Sequence, residues 1–264
     1  MNYNLEMKKN WNNKASRSKK AKEHTFNMSE KYSDKISDCI ANTKFYDDDV
    51  ALYSLPNVPK NTNISVEAID SVGAIMKYAK NIPSNIAVLN FASYKHPGGM
   101  FMEGSIAQEE ALCHESFLYN VLKECPLYYD FNKHNLNRAL YKNRSLYSPD
   151  IVFERDNTSV YCDVITCAAP NKATAQKYQN VSDEENAKVL RSRINFILKI
   201  AADNKIDTLI LGAFGSGVFG QSAKEVASIF KDLLENKFSN VFDKIVFAVP
   251  SGNGNLEAFQ EIFG

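Results

Sequence analysis

The chain has 264 residues, 44% of them hydrophobic and 23% charged, a composition typical of a soluble globular protein. Fibrous and disordered classes are therefore excluded. Lysine and arginine together number 31, and so do aspartate and glutamate. Because the formal net charge is zero, no overall field draws the protein to nucleic acid or to a membrane surface.

The cysteines and the first residues indicate a cellular compartment. Five cysteines, an odd number without a CxxC pair, are typical of free thiols in a reducing cytosol. The N-terminus lacks the apolar core of a signal peptide, and no run of about 18 apolar residues could span a bilayer. We therefore expect a cytoplasmic protein with no membrane contact.

The first 45 residues differ from the rest because they are polar and basic. Seven cations between Lys8 and Lys22 face only Glu6 and Glu23 in this stretch. We expect a helical N-terminal extension (1–45) that packs on a single domain (46–264) through a few apolar residues. The alternative interpretation is an electropositive surface that attracts a polyanionic substrate.

From about residue 45, short β-rich runs alternate with stretches of helical period, which predicts a largely parallel sheet covered by helices on both faces. The predicted strands are Val50–Ser54, Asn63–Glu67, Ile86–Ala92, Ile151–Glu154, Val160–Cys167, Asp207–Ala213 and Lys244–Val249. The predicted helices lie around 67–80, 106–123, 183–204, 222–237 and 255–263. Capping-box patterns at Ser105-x-x-Gln108 and Ser182-x-x-Glu185 predict the starts of two of these helices.

Most of the glycines follow predicted strands. Nine of the eleven form three groups, which come after the strands ending at Ala92, Ala213 and Val249 or close those strands. The groups are Gly98, Gly99 and Gly104; Gly212, Gly215, Gly217 and Gly220; and Gly252 and Gly254. Since ligands bind at the carboxyl ends of the strands in open α/β sheets, we expect the site there.

The loop Gly215–Gly220 lies between a predicted strand and a predicted helix, where backbone N–H groups can cradle a phosphate. It also matches the G-x-G-x-x-G dinucleotide pattern. A dinucleotide fold is disfavoured because the next strand carries no acidic residue for a ribose. The remaining alternative is a glycine-rich turn without a ligand.

Two adjacent acids lie just beyond the first glycine group. In a helix that begins at Ile106, Glu109 and Glu110 belong to the first turn, with side chains about 100° apart. One carboxylate could bind a substrate hydroxyl while the other faces the reacting bond. Alternatively, both are ordinary first-turn acids stabilised by the helix dipole. Asn90, at the end of the preceding strand, either presents its amide to a ribose or makes a strand-end hydrogen bond.

At these residues the sequence resembles the bacterial-type poly(ADP-ribose) glycohydrolases of the macrodomain superfamily. Their signature is a triple glycine, a short spacer and Gln-Glu-Glu. Here Gly98-Gly99-Met100 is followed by seven residues and then by Gln108-Glu109-Glu110. Other segments that look like the family are Leu89–Ser93, Val164–Thr166, Ala168–Asn171 and Gly212–Phe219.

The resemblance implies a three-layer α/β/α macrodomain-like fold and hydrolysis of ribose–ribose O-glycosidic bonds, with release of ADP-ribose. It implies that Glu110 is the general acid, that Glu109 holds the leaving-side ribose and that Asn90 binds the distal ribose. The other implied substrate-binding residues are Gly98, Gly99, Met100, Gln108, Gly215, Ser216, Gly217, Val218 and Phe219. The implied partner is poly(ADP-ribose) or an ADP-ribosylated protein. We expect a monomer that needs no cofactor and no metal.

One departure from the signature concerns activity. Met100 takes the place of the third glycine. If this position requires a positive φ or a close approach of the ligand, the methionine side chain would obstruct the site. A requirement for a backbone N–H alone would be met by methionine. Two alternative functions therefore stay open: an ADP-ribose-binding module without turnover, and a hydrolase of mono-ADP-ribose on protein or nucleic acid.

Overall fold

A computed structural model describes residues 13–48 and 61–264. The predicted strand Val50–Ser54 lies outside the described residues. The described chain contains one seven-stranded sheet in the order β1-β4-β5-β3-β6-β7-β2. The strands are β1 (Lys44–Asp47), β2 (Asn63–Glu67), β3 (Ile86–Phe91), β4 (Arg144–Arg155), β5 (Thr158–Cys167), β6 (Thr208–Leu211) and β7 (Lys244–Ala248).

The sheet is mixed and largely parallel, as predicted. Strands β5, β3, β6, β7 and β2 run parallel, whereas β4 pairs antiparallel with β5, and β1 antiparallel with β4. Strand β1 and the first half of β4 were not predicted from the sequence. A register shift between Ser148 and Ile151 interrupts the ladder of β4 with β5, so only the apolar second half of β4 shows a clear strand pattern.

Helices cover both faces of the sheet, which confirms the predicted three-layer fold. Alternate residues of β3 point to opposite faces: Ala87 and Leu89 join one core, and Ile86 and Val88 join the other. The helices are α1 (Lys14–Lys31), α2 (Ser33–Asn42), α3 (Ser71–Tyr78), α4 (Gln108–His114), α5 (Leu118–Leu122), α6 (Pro126–His134), α7 (Lys172–Gln179), α8 (Asp183–Asp203), α9 (Ala223–Glu235) and α10 (Asn255–Phe263). Helices α8, α9 and α10 pack in the first core, and α1 to α6 in the second.

Two predicted helix starts have different outcomes. The Ser182 hydroxyl accepts the Glu185 N–H at 3.1 Å, so the predicted cap of α8 is confirmed. The predicted cap at Ser105 is wrong, because α4 begins at Gln108 after Ala107, without a side-chain cap. Gln108 makes tertiary hydrogen bonds instead of closing a capping box.

The predicted helix 106–123 is two helices in the structure. Buried Ser116 lies at the break, where its hydroxyl donates to the Leu112 carbonyl and accepts the Leu118 N–H. Its backbone also bridges to Phe153 of β4. This competition for backbone groups ends α4 early. The predicted helix 67–80 begins only at Ser71, where Asp70 caps the Gly73 N–H.

The N-terminal helices share the second core with the sheet. Ala21 and Met28 of α1 and Ile36 and Cys39 of α2 are buried there. Helix α1 also rests on the loop after β3: Arg17 Nε donates to the Gly104 carbonyl at 2.6 Å. The first half of this extension therefore contacts a loop that leads to the two acids.

Candidate active site

A cleft of about 390 Å³ opens at the edge where the parallel strands end. One wall comes from the loop after β3 and the start of α4, and the other from the loop after β6. Its lining residues are Phe91, Ala92, Ser93, His96, Gly99, Met100, Ser105, Ala107, Gln108, Glu109, Glu110, Ala169, Ala213, Phe214, Gly215, Gly217, Val218 and Phe219. Of the three glycine groups predicted to meet at one edge, two therefore face each other across the cleft, whereas Gly252 and Gly254 do not line it.

The first glycine loop is shaped by two left-handed residues, Gly98 at φ +66° and Gly99 at φ +61°. A Cβ atom on Gly99 would lie 2.6 Å from Glu110 Oε1 and 2.9 Å from Glu109 Oε2. Only glycine leaves room for both carboxyl groups beneath the loop. The adjacent acids thus converge on one short piece of backbone.

Glu109 is held by backbone and amide donors. Its Oε2 accepts the Ser93 N–H at 2.7 Å, and its Oε1 accepts from Asn90 Nδ2 at 3.3 Å. Burial raises the pKa of Glu109 to about 8, although the Ser93 and Asn90 donors act in the opposite direction. The side chain therefore keeps its proton at neutral pH.

Glu110 has one occupied and one available oxygen. Its Oε1 accepts the Met100 N–H at 2.9 Å. Its Oε2 is buried and has no hydrogen-bond partner within the described residues. Of the two acids, Glu110 is therefore the one with a carboxyl oxygen that has no hydrogen-bond partner in the described chain.

Met100 fits the position of the third signature glycine. It is not among the described residues with positive φ, so the loop requires no glycine there. Its N–H is used on Glu110, and its side chain, 45% exposed, lines the cleft. The sequence departure therefore preserves the backbone donor.

Gln108 lines the cleft, but its amide is engaged within the protein. Its oxygen accepts the Phe91 N–H at 2.8 Å, and its nitrogen donates to the Leu89 carbonyl and the Ser71 hydroxyl. These bonds join α4 to the end of β3 and to α3. In the structure the Gln108 amide positions the start of α4 and bonds to no group in the cleft. Its predicted contact with substrate stays a prediction.

The loop after β6 forms the opposite wall. Gly215 has a φ of +76°, and a Cβ there would lie 2.7 Å from the Ala169 Cβ. Within the described part of the chain, the N–H groups of Gly217, Val218 and Phe219 have no acceptor. Three successive free donors beside a cleft form a suitable anion cradle.

Three predicted site residues do not line the cleft. Asn90 is fully buried beneath Glu109, and it also donates to the Thr166 hydroxyl at 3.3 Å. Gly98 backs onto Tyr119, and the Ser216 hydroxyl is buried without a partner in the described chain. Their predicted substrate contacts remain predictions.

Several residues that line the cleft have no role predicted from the sequence. Ser93 and His96 lie between the strand end and the glycines, and Phe214 follows Gly212. Position after a strand end is the signal that could have found them, because that edge forms the cleft. Their residue types alone carry no such signal.

The described ranges 13–48 and 61–264 contain no group of three His, Cys, Asp or Glu side chains arranged to hold a metal. None of the helices in those ranges is long and apolar enough to cross a bilayer.

Comparisons with known proteins give one family and several related folds. The family model described as "Microbial-type PARG, catalytic domain" matches residues 14–156, where PARG denotes poly(ADP-ribose) glycohydrolase. PARG from Thermomonospora curvata is similar with a TM-score of 0.81 and 28% identity, over 94% of this chain and 100% of that chain. The T. curvata enzyme bound to the inhibitor ADP-HPD gives a TM-score of 0.80 at the same identity and coverage.

PARG from Deinococcus radiodurans in complex with ADP-ribose is similar with a TM-score of 0.75 and 28% identity, over 86% of this chain and 96% of that chain. No curated protein sequence matches the chain.

Proposed function

Because the chain belongs to the microbial-type poly(ADP-ribose) glycohydrolase family, we propose that its cleft hydrolyses the ribose–ribose bonds of poly(ADP-ribose) with Glu110 as the general acid. The protein is a glycosidase, and its product is ADP-ribose. The observation that carries the role of Glu110 is its buried, unpartnered Oε2 beside the cleft.

The proposed reaction uses Glu110 twice. As general acid, Glu110 first gives a proton to the leaving ribose oxygen while positive charge develops on the sugar carbon. The Met100 N–H then stabilises the carboxylate that remains. Water adds to the sugar carbon and returns a proton to Glu110, which restores the acid for the next turnover.

Neighbouring groups hold the substrate in this proposal. Glu109, fixed by Ser93 and Asn90, binds hydroxyls of the ribose on the leaving side. The free N–H groups of Gly217, Val218 and Phe219 bind the diphosphate. The Phe219 ring packs against the distal ribose, which places the scissile bond between Phe219 and the acids.

The wild type and the variant Glu110→Gln test the proposal together. Purified poly(ADP-ribose) is incubated with each protein, released ADP-ribose is quantified by chromatography, and ADP-ribose affinity is measured by calorimetry. We expect the variant to lose about 100-fold or more of its turnover and to keep its affinity. Near wild-type turnover in the variant would remove Glu110 from the mechanism. Binding without release by both proteins would indicate a reader of ADP-ribose.

Compartment and assembly complete the proposal. We propose a cytoplasmic monomer that acts without a metal or cofactor. The five free cysteines support a reducing compartment. Light scattering on the purified protein tests the monomer, since a dimer would double the measured mass.

A further inference from the structure

A buried guanidinium lacks the partners that such groups usually have. Arg144, the first residue of β4, is only 8% exposed and lies between two rings, with its Cζ 4.2 Å from the Phe45 centroid and 3.8 Å from the Phe131 centroid. Its Nε is buried without a hydrogen-bond partner in the described chain. Its one ion pair there is to Asp47, at 4.0 Å. A buried cation with an unsatisfied donor indicates a place for an anion.

Arg144 lines a cavity of about 700 Å³, which we call the Arg144 pocket. Lys142 and Lys188 also line it, and neither has an ion pair within the described residues. The three acids of the pocket are engaged. Asp47 pairs with Arg144, Asp48 accepts from the Asn143 amide, and Glu185 pairs with Arg138. With buried Arg193 included, the lining has four cations against these three acids, so a net positive charge remains in the pocket.

The Arg144 pocket is a neighbour of the catalytic cleft. Because β4 runs antiparallel to β5, its first residue lies at the edge where β5 ends. Tyr141 lines the Arg144 pocket, and its ring centroid lies 6.1 Å from that of Phe219 in the cleft. The Tyr141 ring also stacks on Tyr94, with ring centroids 4.1 Å apart. The Tyr141 and Phe219 rings, in edge contact, thus join the linings of the two cavities.

We propose that the Arg144 pocket binds the diphosphate of the leaving ADP-ribose unit. This inference rests on the proposed function, which places the distal ribose and the scissile bond beside Phe219. The next unit of the polymer begins at that bond and reaches the pocket by passing Tyr141. A guanidinium with two lysines complements a diphosphate, because its planar donors match phosphate oxygens in pairs.

Affinity for substrates of two lengths tests this assignment. The parent protein carries Glu110→Gln so that substrate stays intact, and calorimetry measures a fragment of two ADP-ribose units, ADP-ribose alone and inorganic pyrophosphate. We expect the double variant Lys142→Gln/Lys188→Gln to bind the two-unit fragment about tenfold more weakly and ADP-ribose equally well. The matched control, Lys205→Gln/Lys237→Gln, removes two charges at the opposite sheet edge and should change neither affinity.

The outcomes separate this inference from the proposed function. Equal affinity of the parent for one and two units would overturn the leaving-unit subsite, even if the wild type releases ADP-ribose. Equal losses for both ligands in the double variant would overturn it too. Pyrophosphate binding that needs Lys142 and Lys188, without a preference for two units, would assign the pocket to a free diphosphate. Arg144→Lys keeps the charge and loses the paired donors, so we expect it to weaken two-unit binding alone.

Discussion

Glu109 and Glu110 are neighbours in sequence, but they have different surroundings. The side chain of Glu109 accepts hydrogen bonds from Ser93 and Asn90, while that of Glu110 accepts one from Met100 alone among the described residues. Spacing on a helix predicts that adjacent acids diverge, yet here both meet beneath Gly99. The sequence motif located the pair. Which donors bind each acid depends on the folded loop, so it could not be predicted from the residue types.

The pKa of Glu109 makes stability depend on pH. The carboxyl is protonated in folded and unfolded chains below about pH 4.5, its ordinary pKa. Between there and about pH 8 the unfolded chain releases the proton and the folded chain retains it, so the free energy of unfolding falls as pH rises. The free energy of unfolding of Glu109→Gln, compared with that of the wild type, should therefore rise by about a few kcal/mol between pH 5 and pH 8.

Urea unfolding of the wild type and of Glu109→Gln at pH 5 and at pH 8 measures this change in unfolding free energy. The control is Glu103→Gln, an exposed acid of the same loop, for which we expect no change. Parallel pH profiles for wild type and Glu109→Gln would contradict a raised pKa.

Gly99→Ala tests whether the acids need the space that glycine leaves. The added Cβ would fall within 3 Å of both carboxyl groups, at a positive φ that alanine disfavours. We expect turnover to fall about 100-fold, because small displacements of catalytic groups have effects of that size. Steady-state hydrolysis of poly(ADP-ribose) measures it. Gly73→Ala, where the nearest atom lies at 3.4 Å and φ is not positive, should keep wild-type rates, and a similar loss there would refute the argument.

At the scale of elements, helix α1 supports the loop that covers the acids. Arg17 and Ser18 donate to the Gly104 and Met102 carbonyls, both at 2.6 Å. The His24 ring lies perpendicular to that of Phe101, with centroids 6.4 Å apart. The polar, basic sequence of α1 predicts a solvated helix, and this is true of the face of α1 that points away from the core. The contacts of α1 with the glycine loop are hydrogen bonds to backbone carbonyls. Every residue type has such a carbonyl, so the sequence could not predict these contacts.

Gly104→Ala should loosen this contact. Its Cβ would lie 2.4 Å from the Lys14 carbonyl, and φ is +82°. We expect a loss of about 1–3 kcal/mol in unfolding free energy and faster amide exchange over residues 98–104. Gly252→Ala also adds a Cβ at positive φ, but nothing lies within 4 Å of it. If both variants behave alike, backbone strain rather than the α1 contact explains the effect.

Element boundaries show what local sequence can and cannot provide. Long apolar runs such as β3 and the Ser182 cap of α8 were predictable, because their signals are local. The break near Ser116 was not, since it depends on a bridge to Phe153 far along the chain. Helix α6 and strand β1 were also missed, because their mixed polar sequences acquire an inner face only from their partners.

Across the whole molecule, stability rests on packing without disulfides. All five cysteines are free, and four are buried. Burial raises the pKa of Cys39 to about 12 and that of Cys167 to about 11, which keeps these two enclosed thiols protonated and unreactive. The pKa of Cys125 is also raised, to about 11, but its thiol is only half-buried and stays within reach of a reagent. We expect at most one thiol of the native protein, half-buried Cys125, to react with Ellman's reagent within minutes at pH 8. All five should react after unfolding in guanidinium.

The variant Cys125→Ser should abolish the fast native reaction. Two or more fast thiols in the wild type would show that the core opens more readily than its burial indicates. Unfolding midpoints should be equal with and without reductant, since there is no disulfide to break.

The order of strands in the sheet has a consequence for synthesis on the ribosome. The segment 14–156 contains the glycine loop and both acids, yet of the strands described in it only β1 and β4 pair with each other. Strand β3, from which the acids are positioned, has its neighbours β5 and β6 later in the chain. A nascent chain released at residue 156 would hold the acids without the sheet that aligns them. Nearly the whole chain must therefore leave the ribosome before the enzyme can act. For the same reason, grafting the segment 14–156 onto another protein would not transfer the activity.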